Sequence, residues 1–303
     1  MLLVVSRFQM LSDEQWALIE DLLPARTGRP GRPFSDARAM VEGIIYRYRC
    51  GLAWRDVPGV FGPWQTIWTW HRRLAREGIW DVVLQRLQAF ADAAGLIDWS
   101  VSVDSSIVRA HQHATNITRH TQGAGSNYTK PGIEPPDHAI GRSRGGWTTK
   151  IHRVVDGNGR GLVTLLTPGQ AGDSPMFEPL MAHLQVPRQG GGRARTRPDR
   201  VRGDKAYSSR AIRTHLRRRG IQAVIPEPAD QARHRKRRGS RGGRPPAFNE
   251  VDYRGRNVIE RSFNELKQWR GIATRYDKLA TLYRTAILIH DTITWTKTLS
   301  DTA

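Results

Sequence analysis

The feature that most constrains this chain is a change of period near residue 97. Before it, apolar residues recur at helical spacing; after it, β-branched residues alternate with polar ones. That order predicts an all-α region, residues 8–96, followed by an α/β region with a mixed sheet, residues 97–298. In the first region, Ser12 with Gln15 reads as a capping box that opens LSDEQWALIEDLL. Trp16, Ile19, Leu22 and Leu23 follow at helical spacing, and Pro24 closes the helix. A basic Gly/Pro linker, ARTGRPGRPF, separates it from a second helix, DARAMVEGIIYRYRCG, with Ser35 placed to cap its start and Gly51 its end. Residues 56–63 read as a turn. Ile67, Trp70 and Leu74, then Trp80, Val83, Leu84 and Leu87, mark further helices, with Trp54, Trp64, Trp68 and Trp70 assigned to the core. Helix, turn and helix with the basic flank His71, Arg72, Arg73 and Arg76 fits a helix-turn-helix DNA reader. An ordinary helical bundle fits the same stripe.

In the second region, WSVSVDSSIV alternates as a strand does, and a Gly/Ser/His-rich loop spans residues 111–146. TTKIHRVVDGNGRGLVTLLTPG reads as two strands joined at Asp156-Gly157-Asn158-Gly159. A helix is expected over residues 174–184, with Asp173 and Ser174 at its N-cap. A basic loop covers residues 187–198. RVRGDKAY then leads into the helix SSRAIRTHLRRRG, and IQAVIP is a further short strand. Residues 229–247 read as a second basic loop, densest at 233–238: a solvated run, or one that orders on DNA. Two helices fill residues 251–298.

Charge narrows the partner. Lys and Arg number 48 against 28 Asp and Glu, a formal net charge of +20. Such a field attracts polyanions, and nucleic acid leads among them. An anionic membrane surface competes less well, because no strongly amphipathic basic helix is present. Arg greatly outnumbers Lys, and its planar fork matches phosphate oxygens two at a time. Cys50 is the single cysteine, which excludes a disulfide within the chain and a cysteine-based zinc site and fits a reducing compartment. MLLVVSRFQM has too short an apolar run for a signal peptide, and no stretch reaches the length of a membrane span. A soluble, cytoplasmic protein with no membrane partner is expected.

Three acidic residues stand out by context. Asp104 lies in the strand VSVDSS, Asp204 in RGDKAY between a short strand and a helix, and Glu260 in the helix DYRGRNVIERSFNELKQWRG. A carboxylate in an apolar β run is costly unless a positive partner meets it, and a divalent metal is one such partner. Attack on a phosphodiester needs an activated nucleophile and a stabilised leaving oxygen. Two metal ions about 3.5–4 Å apart supply both, and magnesium takes carboxylate oxygens. On the helix that carries Glu260, the residues Arg256, Glu260, Asn264 and Lys267 share one face, beside an apolar stripe of Ile259, Phe263 and Leu266. By periodicity alone, a solvated face with i,i+4 salt bridges is the simpler reading of that pattern.

Tyr253, Arg256, Glu260 and Lys267 stand in the order Y, two residues, R, three residues, E, six residues, K. This resembles the signature of DDE transposases of the superfamilies named after insertion sequences four and five. VDSSIVRAHQHA is similar to the block around their first catalytic Asp; GRSRGGWTTKIH, LTPGQAGDSP and RGDKAY are similar to the blocks leading to the second. LSDEQWALIEDLLP, GIIYRYRCGLAWRDVP and FGPWQTIWTWHRRLAREGIW resemble the helical domain that precedes catalysis in the insertion-sequence-five group. The resemblance runs from about residue 11 to 295. It implies an RNase H-like catalytic domain with Asp104, Asp204 and Glu260 as catalytic and metal-binding triad, two Mg²⁺ per site, and Mn²⁺ able to substitute. It implies that Tyr253, Arg256 and Lys267 contact DNA at the element's end; Arg72 and Arg73, from the basic flank of the helix-turn-helix reading, are expected to contact DNA from the helical domain. Terminal inverted repeats and target DNA become the expected partners, a homodimer or higher oligomer the expected assembly, and the bacterial nucleoid the expected location. Residues 1–9, ahead of LSDEQW, read as a dispensable extension.

Two rivals remain at this level. One is a catalytically idle DNA binder, a repressor or domesticated relative, against which the intact acidic triad argues. The other is a metal-dependent nuclease that cuts without joining, separable here only through the resemblance. His111, His113 and His152 offer a His-x-His seed for a metal; a polar or DNA-contacting role near the site is preferred for the first two. Asp173 is a possible fourth carboxylate, with helix capping the preferred role, and Asp156 is assigned to its hairpin turn.

Overall fold

The computed structural model describes residues 8–25, 36–117 and 133–302. The linker centred on residue 30, Ser35, and much of the Gly/Ser/His-rich segment lie outside the described residues. The helical region holds α1 (Asp13–Ala17), α2 (Ala37–Cys50), α3 (Trp64–Arg76) and α4 (Ile79–Ala93). Ser12 and Gln15 form the expected capping box. The first helix is shorter than predicted: it stops after Ala17 and resumes as a single 3₁₀ turn, Glu20–Leu22. The break brings both Ile19 and Leu23 into the core, at 1% and 4% exposure. The N-cap of α2 is Asp36, whose carboxylate accepts the N–H groups of Arg38 and Ala39. Gly51 closes that helix in the left-handed region at φ 70°, where a Cβ would also stand 2.6 Å from Arg270 Cβ.

The α/β region contains β1 (Ser100–Ala110), α5 (Gln112–Thr115), β2 (Gly141–Ser143), β3 (Gly146–Val155), β4 (Gly161–Pro168), α6 (Phe177–His183), β5 (Arg200–Arg202), α7 (Arg210–Arg218) and β6 (Gln222–Val224). It continues with α8 (Ala229–Arg237), α9 (Glu250–Arg254), α10 (Asn257–Gln268), α11 (Arg270–Ala273), β7 (Thr274–Arg275) and α12 (Ala280–Ser300). The sheet order is β2-β3-β1-β5-β6, with β4 also on β3 and β7 on the end of β1. β1, β2, β3 and β4 pair antiparallel; β5 runs parallel to β1 and β6 parallel to β5. The mixed sheet behind a helical region is therefore present. The hairpin turn sits where Asp156 was placed: its Oδ1 accepts the N–H groups of Asn158 and Arg160.

Three stretches differ from expectation. The 111–146 loop contains a short helix and β2, which pairs with β3 through Gly141↔Thr148. The basic run 229–247 opens as a helix, because Arg235 folds back onto Glu227 and its cations gather in the last turn, toward the negative end of the helix dipole. The C-terminal stretch is four helices and a strand. Its first helix breaks at Gly255, where a Cβ would stand 2.7 Å from the Arg202 guanidinium carbon.

One buried cluster runs from Leu11 and Ile44 through Leu87 and Val103 to Leu266 and Trp295. Helix α12 joins its parts, packing against α1, α2, α3 and α4 and against β4. Its polar anchors are buried too. Trp295 donates to the Gly161 carbonyl, Arg284 pairs with Asp81 at 2.6 Å, and Asp291 pairs with Arg153 of β3. None of the described helices is long and apolar enough to cross a membrane.

Candidate active site

β1 passes through the middle of the sheet, and its alternation decides which groups meet. Asp104, Ser102 and Ser106 face one side; Ser105 and Ile107 face the other. Asp104 is part-buried, with 18% of its side chain exposed. Its Oδ1 accepts the N–H of Ser105 at 2.8 Å, and its Oδ2 accepts Nη2–H of Arg256 at 2.5 Å. Burial raises its pKa above the ordinary aspartate value. The Ser105 amide and the Arg256 charge oppose that rise, and the nearby charge of Asp204 adds to it.

Asp204 reaches this place through parallel pairing. Ser102 of β1 is in register with Arg202 of β5, so two residues further on the chain sets Asp204 beside Asp104. Gly203 permits the approach: a Cβ there would stand 3.2 Å from Val103 Cγ2 and 3.3 Å from Tyr207. The Asp204 carboxylate accepts the Ala206 N–H at 2.9 Å and caps the 3₁₀ turn Lys205–Tyr207.

Glu260 stands on α10 with 54% of its side chain exposed. It meets the other two through one group: Arg256 donates Nη1–H to Glu260 at 2.8 Å while Nη2–H goes to Asp104. The i,i+4 salt bridge read from periodicity is present, and the same guanidinium also spans from helix to strand. Burial disfavours the Arg256 charge, yet Asp104 and Glu260 outweigh it and raise the pKa. Lys267, further along α10, donates to Ser106 Oγ and to the Ile107 carbonyl, and burial lowers its pKa. Tyr253 on α9 is half-buried against Phe248, ring centres 5.3 Å apart. Four of the sequence-selected residues, Asp104, Glu260, Arg256 and Lys267, are thus tied into one strand–helix contact, with Asp204 alongside.

The donor set suits a hard divalent cation, since Asp104 on β1 and Asp204 just past β5 offer carboxylate oxygens side by side. Among the described residues no three His, Cys, Asp or Glu side chains converge closely enough to hold a metal. Arg256 stands between Asp104 and Glu260, so the three acids share a cation only when that bridge opens. Among the described residues Glu260 has one ionic partner, Arg256, and more than half of its side chain is exposed.

Arg72 and Arg73 are exposed on α3, away from the acids. Arg72 lies over the Trp68 ring at 5.5 Å and helps line a cavity of about 690 Å³ with Trp54, His111, His113 and Tyr276; Arg73 pairs with Glu77. His71, grouped by sequence with these cations, is instead fully buried and shares a hydrogen bond with the Tyr48 hydroxyl. Burial lowers its pKa to about 4, so it carries no charge near neutral pH. The four tryptophans assigned to the core are only half-buried, because the buried stripe of α3 is Ile67, His71, Leu74 and Ala75.

Sequence reasoning missed the other face of β1. Asp173 makes no side-chain cap for the helix that follows it. It accepts instead from Ser105 Oγ at 2.6 Å and from Lys150 Nζ at 2.9 Å. His152, buried beside it, bonds Thr167, and burial lowers its pKa to about 4. Strand register carries the signal: Ser105 pairs with His152 and Ile107 with Lys150, which sets all four on one face. Asp252 was missed as well. It is nearly buried and clamps Arg200 and Arg202, fixing α9 to β5.

A mixed sheet that sets Asp104 of β1 beside Asp204, just past β5, in a chain of net charge +20, defines an α/β protein with an acidic pair on its sheet. The chain belongs to the family described as "Transposase DDE domain", whose model matches residues 98–295; residues 11–84 match "Putative transposase of IS4/5 family". A 16.2 kDa protein of insertion element IS402 from Burkholderia cepacia is 39% identical over 108 residues, 33% of this chain and 74% of that protein. A putative transposase for insertion sequence element IS6501 from Brucella ovis is 31% identical over 136 residues, 45% of this chain and 88% of its own. A putative transposase for IS402 is 32% identical over 154 residues, 51% of this chain and 63% of its own. Among solved structures, the piggyBac transposase synaptic complex with hairpin DNA aligns with 97% of this chain and 74% of its own at TM-score 0.45 and 10% identity. The fold is a mixed α/β sheet behind a helical region, and the protein is an insertion-sequence transposase by family.

Proposed function

We propose that this transposase binds the terminal inverted repeats of its element and catalyses metal-dependent DNA cleavage and strand transfer by in-line phosphoryl transfer. The observation that carries the reading is Asp104 on β1 beside Asp204, two residues past the parallel strand β5, with Glu260 bridged to Asp104 by Arg256. Asp104, Asp204 and Glu260 would hold two Mg²⁺ or Mn²⁺ ions, which when bound polarise the scissile phosphate and activate the attacking oxygen. The chain's own residues do the rest. Arg256 keeps the carboxylates apart from one another and neutralised until DNA arrives; its fork then suits a phosphate as well as a carboxylate. Lys267 and Tyr253 flank the same face and position the DNA end. Arg72 and Arg73 of residues 8–96 hold the repeat, while residues 97–298 carry the chemistry on repeat and target. A homodimer or higher oligomer would pair two ends, in the bacterial cytoplasm at the nucleoid.

The test uses purified protein and labelled DNA carrying the flanking inverted repeat, with Mg²⁺, with chelator, and with Asp204→Ala. Cleavage and joining by the wild type alone, and only with metal, is expected. Cleavage that survives chelator or substitution overturns the metal-triad reading. Binding without cleavage identifies an idle binder, and cutting without joining a nuclease.

A further inference from the structure

We infer that Asp173 is a positioning residue for this reaction, setting the orientation of the Asp104 carboxylate through Ser105. The inference rests on the reading of Asp104 as a reacting-site carboxylate. Asp104 and Ser105 point to opposite faces of β1, and the peptide between them is their connection. Ser105 is bonded on both sides of it: its N–H donates to Asp104 Oδ1 at 2.8 Å, and its hydroxyl donates to Asp173 Oδ1 at 2.6 Å. The far end of this brace is fixed in turn. Lys150 Nζ donates to the same Asp173 oxygen at 2.9 Å and to the Ala171 carbonyl at 2.6 Å. The Lys150 side chain is only 11% exposed, so its charge and Asp173 hold each other in place.

The local chain is built for this contact. After β4 the backbone turns back over β3, where the Gly169 N–H bonds the Thr148 carbonyl. A side chain at Gly169 would overlap Thr148, so the turn needs glycine to bring Asp173 over the sheet. Asp173 opens a helix yet leaves its amides uncapped, which removes the ordinary reason for an Asp at that position. Its hydrogen bonds go to the sheet beneath Asp104 instead. Losing them frees the Ser105 side chain and lets the 104–105 peptide rock, and a shift of about 1 Å at a reacting group costs on the order of 10²-fold in rate.

The experiment compares wild type with Ser105→Ala, Asp173→Asn, their double substitution and Ser105→Thr. DNA affinity, cleavage rate at saturating DNA, Mn²⁺ affinity by electron paramagnetic resonance, and melting temperature are measured on each. Each single removal should slow cleavage about 10–100-fold and weaken Mn²⁺ binding, with DNA affinity unchanged. The double variant should be no slower than either single one, because both cut the same link. Ser105→Thr keeps the hydroxyl and should recover most of the rate. Additive losses, no rescue by Thr, or a rate loss that follows only the fall in melting temperature would overturn the inference. Crystal structures of the two single variants add a readout that needs no activity: a turned Asp104 carboxylate supports the brace, and an unmoved one overturns it. If the wild type binds DNA but never cleaves, the proposed reaction fails while this last readout still judges the brace.

Discussion

Asp291→Ala isolates the contact that locks the last helix to the sheet. Asp291 and Arg153 have 2% and 1% of their side chains exposed. Arg153 Nε and Nη1 have no hydrogen-bond partner among the described residues, so Asp291 is the main compensation for a guanidinium held in the core. Removing it leaves an uncompensated buried charge, at a cost of about 3–5 kcal/mol. Against a total stability of about 5–15 kcal/mol for a folded protein, that is a large fraction. With a urea slope near 3 kcal/mol/M, the unfolding midpoint should fall by about 1–1.7 M with the slope itself unchanged. The loss should reach the site, because Arg153 pairs with Asp104 across β1 and β3 and lies 6.0 Å from the ring of Phe263 on α10. Replacing both partners, Arg153→Met with Asp291→Leu, should restore most of the stability, since a well-packed apolar pair avoids the desolvation penalty. A single substitution costing under about 1 kcal/mol, or a double as costly as the single, would refute the claim that the pair is desolvated and mutually dependent.

The remaining predictions concern pH, backbone and caps. His71 has a folded pKa of about 4 against an ordinary value of 6.5, so its contribution is intact above pH 6.5 and is lost as pH falls toward 4. The loss reaches about 2 kcal/mol at pH 5, and His152 shifts in the same direction. Melting temperature should drop across that window, and His71→Gln should flatten the drop; a flat wild-type profile would count against neutral burial. Gly255→Ala drives a Cβ into Arg202 and loosens its clamp on Asp252, costing about 1–3 kcal/mol by urea unfolding. Asp36→Ala removes the cap of α2 and should cost about 1 kcal/mol. Arg256→Lys cannot bridge Asp104 and Glu260 at once, so cleavage should fall at least tenfold with DNA bound, while an unchanged rate would remove Arg256 from the site.

What was legible in the sequence was what local chemistry decides. Gly51, the Asp156 turn and the Ser12 box each act within a few residues, and each lies where the pattern placed it. The need of Asp104 for a positive partner was legible because a carboxylate in a β run is out of place, and Arg256 meets that need. Asp173 was not, because its partners lie 68 and 23 residues away and meet it only through strand register. His71 misled because a helical wheel gives the face of a residue and not which neighbour covers it. The basic run at 229–237 concealed a helix because an all-polar helix has no apolar stripe to announce it.

Helix α12 closes the core against α1, α2, α3 and α4 on one side and β4 on the other, and it is made after all of them. While the ribosome is still adding it, the helices before residue 97 and the sheet after it each have an open apolar side. Neither half can finish folding alone, so the helical region and the sheet that carries the acids complete together. A product cut short by a frameshift or early stop before Ala280 should aggregate or be degraded rather than persist as a free helical fragment. The order of synthesis thereby ties the folding of the two regions to one late helix.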